Sequence, residues 1–279
     1  MTTRAELLAR ATRCLADAGV PGAERDARLI LRWAGGLSGA ALQVSLSEVP
    51  RAEEMDRFEQ GVAARASRRP LSHITGTRAF WGREFLVTPD VLDPRPETEV
   101  LVAEALREHA SRVLDLGTGS GCILLSLLAE WQDATGVGLD NSAAALKIAG
   151  QNAKELGLQD RMELIHGDWS LIPSEPFDLI VSNPPYLSAR EWEQAQPELN
   201  YEPAGALSPG KDGLEAYHAL IAPAFEALRP HGRLILEIGA SQADSVLKIM
   251  MKYFEGDAAV IRDLDGRDRV VRARKADNS

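Results

Sequence analysis

From residue 111 onward, short runs of buried-strand character alternate with longer stretches whose apolar residues recur every three to four positions. R-V-L-D-L at 112–116, T-G-V-G-L at 135–139, M-E-L-I-H at 162–166, F-D-L-I-V-S at 177–182 and G-R-L-I-L-E-I at 232–238 read as strands. Helical patterns lie between them near 121–131, 142–156, 212–228 and 240–254. V-I-R-D-L and R-V-V-R-A then read as a closing antiparallel hairpin. Parallel strands need crossovers, crossovers are right-handed, and the crossing helices cover both sheet faces. The expected fold is therefore α/β: a doubly wound, mostly parallel sheet. In such sheets ligands bind beyond the carboxyl ends of the strands, next to the switch point.

The residues that follow each strand carry the chemistry. After the first strand come Gly117, Thr118, Gly119, Ser120 and Gly121. Glycines here let the backbone turn tightly and approach a ligand, and the next helix offers free N–H groups at its start. The spacing Gly-x-Gly-x-Gly after Asp115 differs from the Gly-x-Gly-x-x-Gly of nicotinamide and flavin sites, and no Gly-Lys-Ser/Thr follows to make a phosphate loop. Taken alone, the loop is equally a tight strand-to-helix turn. Asp140 ends the second strand, where a carboxylate can accept both ribose hydroxyls or simply cap the following helix. At the third strand end, Asp168 can face an adenine amino group and Trp169 can pack on its ring. Three such features at consecutive strand ends favour an adenosine-containing cofactor. The fourth strand stops in Asn183-Pro184-Pro185-Tyr186. Two prolines lack backbone donors, so sheet pairing ends there. That leaves a plain turn, or a use for Asn183 and Tyr186.

The first 70 or so residues carry helical and almost no strand signals. Thr2 or Thr3 can cap a helix bearing Leu7, Leu8, Ala11, Cys14, Leu15 and Ala18, which Gly19 ends. A second pattern ends at Gly35-Gly36, and a third runs from Arg51 to about Ser67. Between 71 and 96 the texture changes to β-like pieces, with Gly82 placed as a hairpin turn, and Pro94 and Pro96 set up a helix from about Glu97 to Glu108. The expected organisation is a helical domain at 1–75, a β-hairpin connector at 76–96 and a cofactor-binding domain at 97–279. Residues 1–75 hold 11 arginines against 9 carboxylates, net +2, within a chain of net charge −10. An acidic chain argues against a broad nucleic-acid footprint. Cys14 and Cys122 are too few and too scattered for a disulfide framework or a zinc site and are expected as small core residues. No signal peptide or membrane span is visible, so the cytoplasm is the expected compartment.

The glycine loop, the acid after the second strand and Asn-Pro-Pro-Tyr after the fourth together resemble the class I methyltransferases that use S-adenosylmethionine to methylate planar nitrogen. Such a nitrogen is a poor nucleophile, because its lone pair is delocalised. The side-chain oxygen of Asn183 and the main-chain oxygen of Pro184 can accept its two N–H bonds, aim it, and stabilise the positive charge that grows on it. Tyr186 offers a flat face.

Nearly the whole chain resembles the bacterial release factor glutamine methyltransferases. The resemblance is carried by R-P-L-S-H-I-T-G at 69–76, F-W-G-R-E-F-L-V-T-P-D-V-L at 80–92, P-R-P-E-T-E at 94–99, D-L-G-T-G-S-G at 115–121, F-D-L-I-V-S-N-P-P-Y at 177–186, Y-E-P-A-G-A-L at 201–207, D-G-L-E-A-Y at 212–217 and G-R-D-R-V-V at 266–271. It implies a Rossmann-like methyltransferase sheet behind a helical docking domain. It implies transfer from S-adenosyl-L-methionine to the N5 amide of the glutamine in the Gly-Gly-Gln motif of class 1 peptide chain release factors. By the same resemblance Gly117 to Gly121, Asp140, Trp169 and Asn183 contact the cofactor, Asn183 to Tyr186 bind the glutamine, and Arg95 and Thr98 belong to the active-site wall. A monomer without nucleic-acid, membrane or metal partners is expected, and Arg68-Arg69 is a candidate contact for the protein partner. Asp93 and His73 depart from the family pattern, and G-A-L-S-P-G at 205–210 is variable. A ribosomal protein glutamine and a nucleic-acid adenine N6 remain the alternative acceptors.

Overall fold

The computed structural model describes residues 2–207, 210 and 212–277. They divide into two compact units: Met1–Thr77 with Gln196–Tyr201, and Arg78–Ala195 with Glu202–Ser279.

The first unit is helical. Its elements are α1 (Arg4–Asp17), α2 (Ala23–Gly35), α3 (Gly39–Val44), α4 (Ala52–Ala66) and α5 (Leu71–Thr75). Thr3 caps α1 reciprocally with Glu6, a capping box that satisfies two backbone donors. Leu7, Leu15, Ile30, Leu31 and Phe58 are buried at its centre. A Cβ on Gly61 would lie 2.6 Å from Ile30 Cγ2, so the approach of α4 to α2 requires glycine there. Cys14 corrects one expectation. It is exposed, because Leu7, Leu8, Ala11 and Leu15 fill the buried stripe of α1 and Cys14 falls at its edge. Cys122 is buried as expected, and desolvation pushes its thiol up to about 12.

Gln196–Tyr201 joins this unit from far along the chain. Glu198 accepts from Arg65 Nη1 at 3.0 Å and takes a two-pronged bond from Arg68, Nε at 2.7 Å and Nη2 at 2.8 Å. Arg65 also pairs with buried Asp26 at 2.8 Å. Arg68 sits at φ 69, a left-handed conformation that costs a non-glycine residue about 1–2 kcal/mol, and the forked bond holds it there. The Arg69 guanidinium lies over the Tyr201 ring. Both arginines expected to face a partner are thus engaged within the unit.

The chain enters the second unit along the hairpin β1 (Thr77–Phe80) and β2 (Arg83–Leu86), turned at Trp81-Gly82, both with positive φ. A 3-10 turn at Pro96–Thr98 leads into α6 (Glu99–Ala105), shorter than the sequence pattern indicated. Then β3 (Arg112–Leu116), α7 (Cys122–Glu130), β4 (Thr135–Asp140), α8 (Ala143–Glu155) and β5 (Met162–His166) alternate, and β6 (Phe177–Ser182) follows β5 with only the 3-10 turn Trp169–Leu171 between them. After α9 (Ala189–Glu193) come α10 (Glu215–Ala227), β7 (Leu228–Glu237), α11 (Ala243–Met250), β8 (Ala258–Arg262) and β9 (Asp268–Arg274). The sheet order is β5-β4-β3-β6-β7-β9-β8. The first five strands of that order are parallel, and β9 and β8 close it antiparallel. The order reverses beside β3, which is the expected doubly wound arrangement with its switch point between β3 and β6.

Alternation along the strands assigns the two faces. Leu114, Leu116 and Ile180 pack against Tyr217, Leu220 and Ile221 of α10 and Val246 of α11. Val113, Leu179 and Val181 pack against Leu101 of α6 and Leu124 and Leu128 of α7. β7 begins four residues earlier than expected, because Leu228 pairs with Phe177 ahead of a register shift, and His231 takes φ 63 in the irregular stretch. Among the described residues no helix is long and apolar enough to cross a membrane.

Candidate functional site

At the carboxyl ends of β3 to β6 the second unit holds a cavity of about 580 Å³. Gly117, Gly119, Asp140, Asp168, Trp169, Asn183 and Pro185 are among the residues that line it. Residues from all four strand ends singled out in the sequence therefore share one space.

The three glycines of the loop have positive φ, 75, 55 and 79, for different physical reasons. Gly117 N and Thr118 N both donate to Leu139 O, at 2.8 and 3.1 Å, tying the loop to the end of β4. At Gly119 an added Cβ would meet nothing, so its left-handed backbone is what excludes other residues, and its bare N–H donates to Asp140 Oδ2 at 2.8 Å. A Cβ on Gly121 would press on Leu125 at 3.1 Å and Ala149 at 3.3 Å, so this glycine serves the packing of α7 on α8. Thr118 and Ser120 are buried and structural in their visible contacts: Thr118 Oγ1 donates to Asp115 Oδ2 at 2.7 Å, and Ser120 O accepts from Asn152 Nδ2 at 2.9 Å.

Asp140 is not the cap of α8: that is Ser142, whose Oγ accepts from Ala145 N at 3.2 Å. Asp140 Oδ1 accepts from Ser142 N at 2.9 Å ahead of the helix, and the carboxylate borders the cavity. Asp168 accepts from Ser170 N at 2.9 Å and Ser170 Oγ at 2.5 Å, bonds that hold its carboxyl below the usual range. They also fix the 3-10 turn Trp169–Leu171, and the Trp169 ring passes 3.5 Å from the Cβ that Gly117 lacks. A bare loop backbone, an acceptor for hydroxyls and an aromatic plate suit an adenosine bearing an amino-acid tail.

The end of β6 is held from several sides. Ser182 Oγ donates across the sheet to Leu116 O at 2.6 Å. Asn183 Nδ2 donates to Thr98 Oγ1 at 3.2 Å, and Pro184 is buried beneath. Tyr186 OH donates to Glu237 Oε1 at 3.2 Å; burial first, and then the Glu237 charge, raise the phenol pKa and keep it protonated. The Tyr186 carbonyl accepts from Gln242 Nε2 at 2.9 Å. A Cβ on Gly213 would stand 2.2 Å from that same carbonyl, and Gly213 has φ 73, so only glycine lets the chain pass there. Gln242, Gly213 and Glu237 were not singled out from the sequence. The turn pair Asp212-Gly213 was a usable signal; a single glutamine before a helix was not.

Arg95 forms ion pairs rather than facing open space. It binds Glu202 through Nη2 and approaches Asp93 Oδ2 at 3.6 Å, and Asp93 N donates to Glu202 Oε2 at 3.1 Å. Asp93, the departure from the family pattern, is buried with Arg78 Nη1 at 3.5 Å on the same oxygen. This network anchors Y-E-P-A-G-A-L, whose Pro203, Gly205 and Ala206 form part of the cavity wall. Ser208 and Pro209 of the variable segment lie outside the described residues.

Asp115, wholly buried behind the loop, has its carboxyl pushed up to about 7 by desolvation, against the Thr118 hydroxyl and the Leu124 N–H, with Asp140 adding to the rise. A carboxyl raised in the folded state contributes stability below its ordinary pKa of 3.8 that is lost as pH climbs through about 7. Asp115→Asn removes the titration and keeps an acceptor for Thr118. Its stability relative to the parent should rise between pH 4 and 7, by on the order of a few kcal/mol, and level off above. Denaturant melts of both proteins at pH 4, 5.5, 7 and 8.5 test this; a constant difference would contradict it.

Two family models match the chain: "PrmC N-terminal domain" over residues 6–76 and "Methyltransferase small domain" over residues 91–210. The chain is 49% identical to the release factor glutamine methyltransferase of Cereibacter sphaeroides, across 97% of this chain and 98% of that protein. It is 41% identical to the release factor glutamine methyltransferase of Caulobacter vibrioides, across 92% and 91%. Among solved structures, a methyltransferase from Pyrococcus furiosus superposes with a TM-score of 0.55 at 15% identity, covering 81% of this chain and 100% of that one, a likeness of fold.

Proposed function

The chain belongs to the release factor glutamine methyltransferase family and uses S-adenosylmethionine; from that premise we propose that it methylates the side-chain amide N5 of the glutamine in the Gly-Gly-Gln motif of class 1 peptide chain release factors. The observation that carries this acceptor over a base is that the likeness to release factor enzymes spans both units, the helical one included. We take the helical unit to be the docking surface for the folded partner, with the protein acting as a monomer in the cytoplasm. Its net charge of −10 fits a protein substrate better than a nucleic acid.

The cofactor, when bound, supplies a methyl group on a sulfonium sulfur. The residues that would hold it are those of the cavity: Gly117 and Gly119 by their bare backbone, Asp140 as acceptor for the ribose hydroxyls, Trp169 beside the adenine. What remains is to make a delocalised amide nitrogen reactive. Asn183 Oδ1 and Pro184 O each accept one N–H of the substrate amide, which fixes the nitrogen's direction and places negative dipoles where positive charge grows. Pro184 and Pro185 lock the backbone that presents the carbonyl. Tyr186, its hydroxyl anchored on Glu237, offers its ring as a flat wall for the amide plane. As the N–C bond forms and the methyl's bond to sulfur breaks, the amide N–H becomes acidic and its proton can leave to water, so a side-chain base is not needed before transfer.

The test is incubation with isotopically labelled S-adenosylmethionine of three separate acceptors: a release factor, the same factor with its Gly-Gly-Gln glutamine changed to alanine, and DNA. Mass spectrometry should place one methyl on the intact factor and none on the variant. Label on DNA alone would overturn the acceptor while leaving the methyltransferase chemistry in place.

A further inference from the structure

Asn183-Pro184-Pro185-Tyr186 has to present two acceptors in a fixed direction, yet its own backbone offers few means of holding itself. Strand pairing ends at Ser182, the last register partner of β6 on both sides. Pro184 and Pro185 have no N–H to donate. The segment therefore has to be held through its carbonyls and side chains, by groups from elsewhere in the chain. At Tyr186, which closes the motif, Glu237 takes the hydroxyl and Gln242 the carbonyl.

We infer that Gln242 is a positioning residue for the methyl transfer: its side-chain amide fastens the Tyr186 end of the motif to the chain entering α10, and so sets the direction in which the motif presents its acceptors. Gln242 precedes α11 and is 9% exposed. Its Nε2 donates to Tyr186 O at 2.9 Å and to Gly213 O at 3.2 Å, and its Oε1 accepts from Gly239 N at 2.9 Å. The orientation of the amide follows from these partners alone. All three are backbone groups, so their characters are fixed: two carbonyls call for the NH₂ end, and one N–H calls for the oxygen. Turning the amide over would set oxygen against two carbonyls and nitrogen against a donor. The Tyr217 hydroxyl, 3.5 Å from Oε1, has its proton on Glu237 O at 2.9 Å and does not enter the choice.

Capping α11 would use only the Gly239 end of this side chain, where Gln242 N also donates to Gly239 O at 2.9 Å. The other end reaches chain 56 and 29 residues away. Two glycines admit it: a Cβ on Gly213 would lie 2.9 Å from Nε2, and a Cβ on Gly239 would lie 2.9 Å from Oε1. What the amide joins is the substrate side of the cavity. Asn183 and Pro185 line it from the motif, and Glu215, Ala216 and Ala219 line it from α10, which Gly213 and Leu214 lead into. The peptide group between Tyr186 and Leu187 is gripped on both edges, its carbonyl by Gln242 and its N–H by Leu207 O at 3.0 Å. With the amide removed, one of those grips is gone and the prolines have nothing to replace it with.

This inference rests on the amide-binding role proposed for Asn183 to Tyr186, and the measurements separate the two. Gln242→Met keeps the length of the side chain and removes both hydrogen-bonding ends. It should lower kcat on release factor roughly 10- to 100-fold, the cost of a slightly displaced reacting group, with the Kd for S-adenosylhomocysteine within about threefold of the parent. Gln242→Glu keeps the shape and, once ionised, sets oxygen against both carbonyls. Its kcat at pH 9 should lie about tenfold or more below the parent, and the deficit should shrink toward pH 6 as the carboxyl regains a proton to donate. A readout independent of substrate accompanies these. Hydrogen exchange at the Leu187 amide should be about tenfold faster or more in Gln242→Met, while the loop Gly117 to Gly121 exchanges as in the parent. Should Gln242→Met melt as an unfolded chain, Gln242→Glu at pH 9 carries the same measurements. Failure of the parent to label a release factor would sink the acceptor assignment, yet exchange at Leu187 would still decide whether Gln242 holds the motif. Parent-like turnover in either variant at pH 9, a loss that falls on cofactor Kd instead of kcat, or unchanged exchange at Leu187 would each overturn the inference.

Discussion

Replacing Asn183 with alanine should lower kcat by on the order of a hundredfold or more, the range seen when a preorganised transition-state contact is removed. The fold should survive, because the Asn183 side chain is half-buried and makes one hydrogen bond, to Thr98 Oγ1. Losing a bond of that kind costs about 0.5–1.5 kcal/mol. Asn183 also borders the cavity, so a loss of cofactor affinity of a few fold would be unsurprising; the large effect belongs to the chemical step. Single-turnover rates at saturating cofactor, paired with a thermal melt, distinguish the two. A variant that melts normally and turns over within threefold of the parent would remove Asn183 from the mechanism and leave the strand-end tetrapeptide as a turn.

The sequence specified the sheet well because its strands are short, rich in aliphatic and β-branched residues and flanked by turn residues. β3, β5 and β6 begin and end where the residue pattern placed them, and Phe177 to Ser182 are buried without exception. Loop glycines and strand-end acids were legible for a similar reason, since their chemistry follows directly from local chain position. What escaped was long-range. Glu198 reaches Arg65 across 133 residues, and a single glutamate in a polar stretch carries no periodic mark of its destination. Gln242 supports the Tyr186 carbonyl from 56 residues away. Glu237 lies within a strand run that reads as apolar, where a buried carboxylate is intelligible only once Thr98, Tyr186 and Arg269 surround it. Cys14 failed for a different reason: helical spacing identifies a stripe, but tertiary packing decides how wide that stripe is.

Asp140→Ala should produce the other large effect, on binding rather than on turnover. Hydrogen bonds to a charged acceptor contribute about 1.5–3 kcal/mol each, so removing the carboxylate that would hold the ribose should weaken cofactor binding roughly 10- to 150-fold. Its existing bonds do not preclude that role. Gly119 N occupies one lone pair of Oδ2 and Ser142 N one of Oδ1, which leaves each oxygen a second lone pair for a hydroxyl. The same bonds mean that alanine also removes the Gly119 tie of the glycine loop, leaving only the bonds of Gly117 N and Thr118 N to Leu139 O, so part of the loss comes from a less ordered cradle. Asp140→Asn separates the two contributions. An asparagine retains one acceptor oxygen but sets its NH₂ against one of the two backbone donors, so its affinity should fall between alanine and the parent. Calorimetric titration with S-adenosylhomocysteine gives the affinities, and kcat at saturating S-adenosylmethionine should stay near the parent value, as expected when a contact serves ground state and transition state alike. Affinity within threefold of the parent in Asp140→Ala would reduce Asp140 to a link between the glycine loop and the chain ahead of α8, and would move the search for the hydroxyl acceptor to the other polar groups of the cavity, Asp168 first.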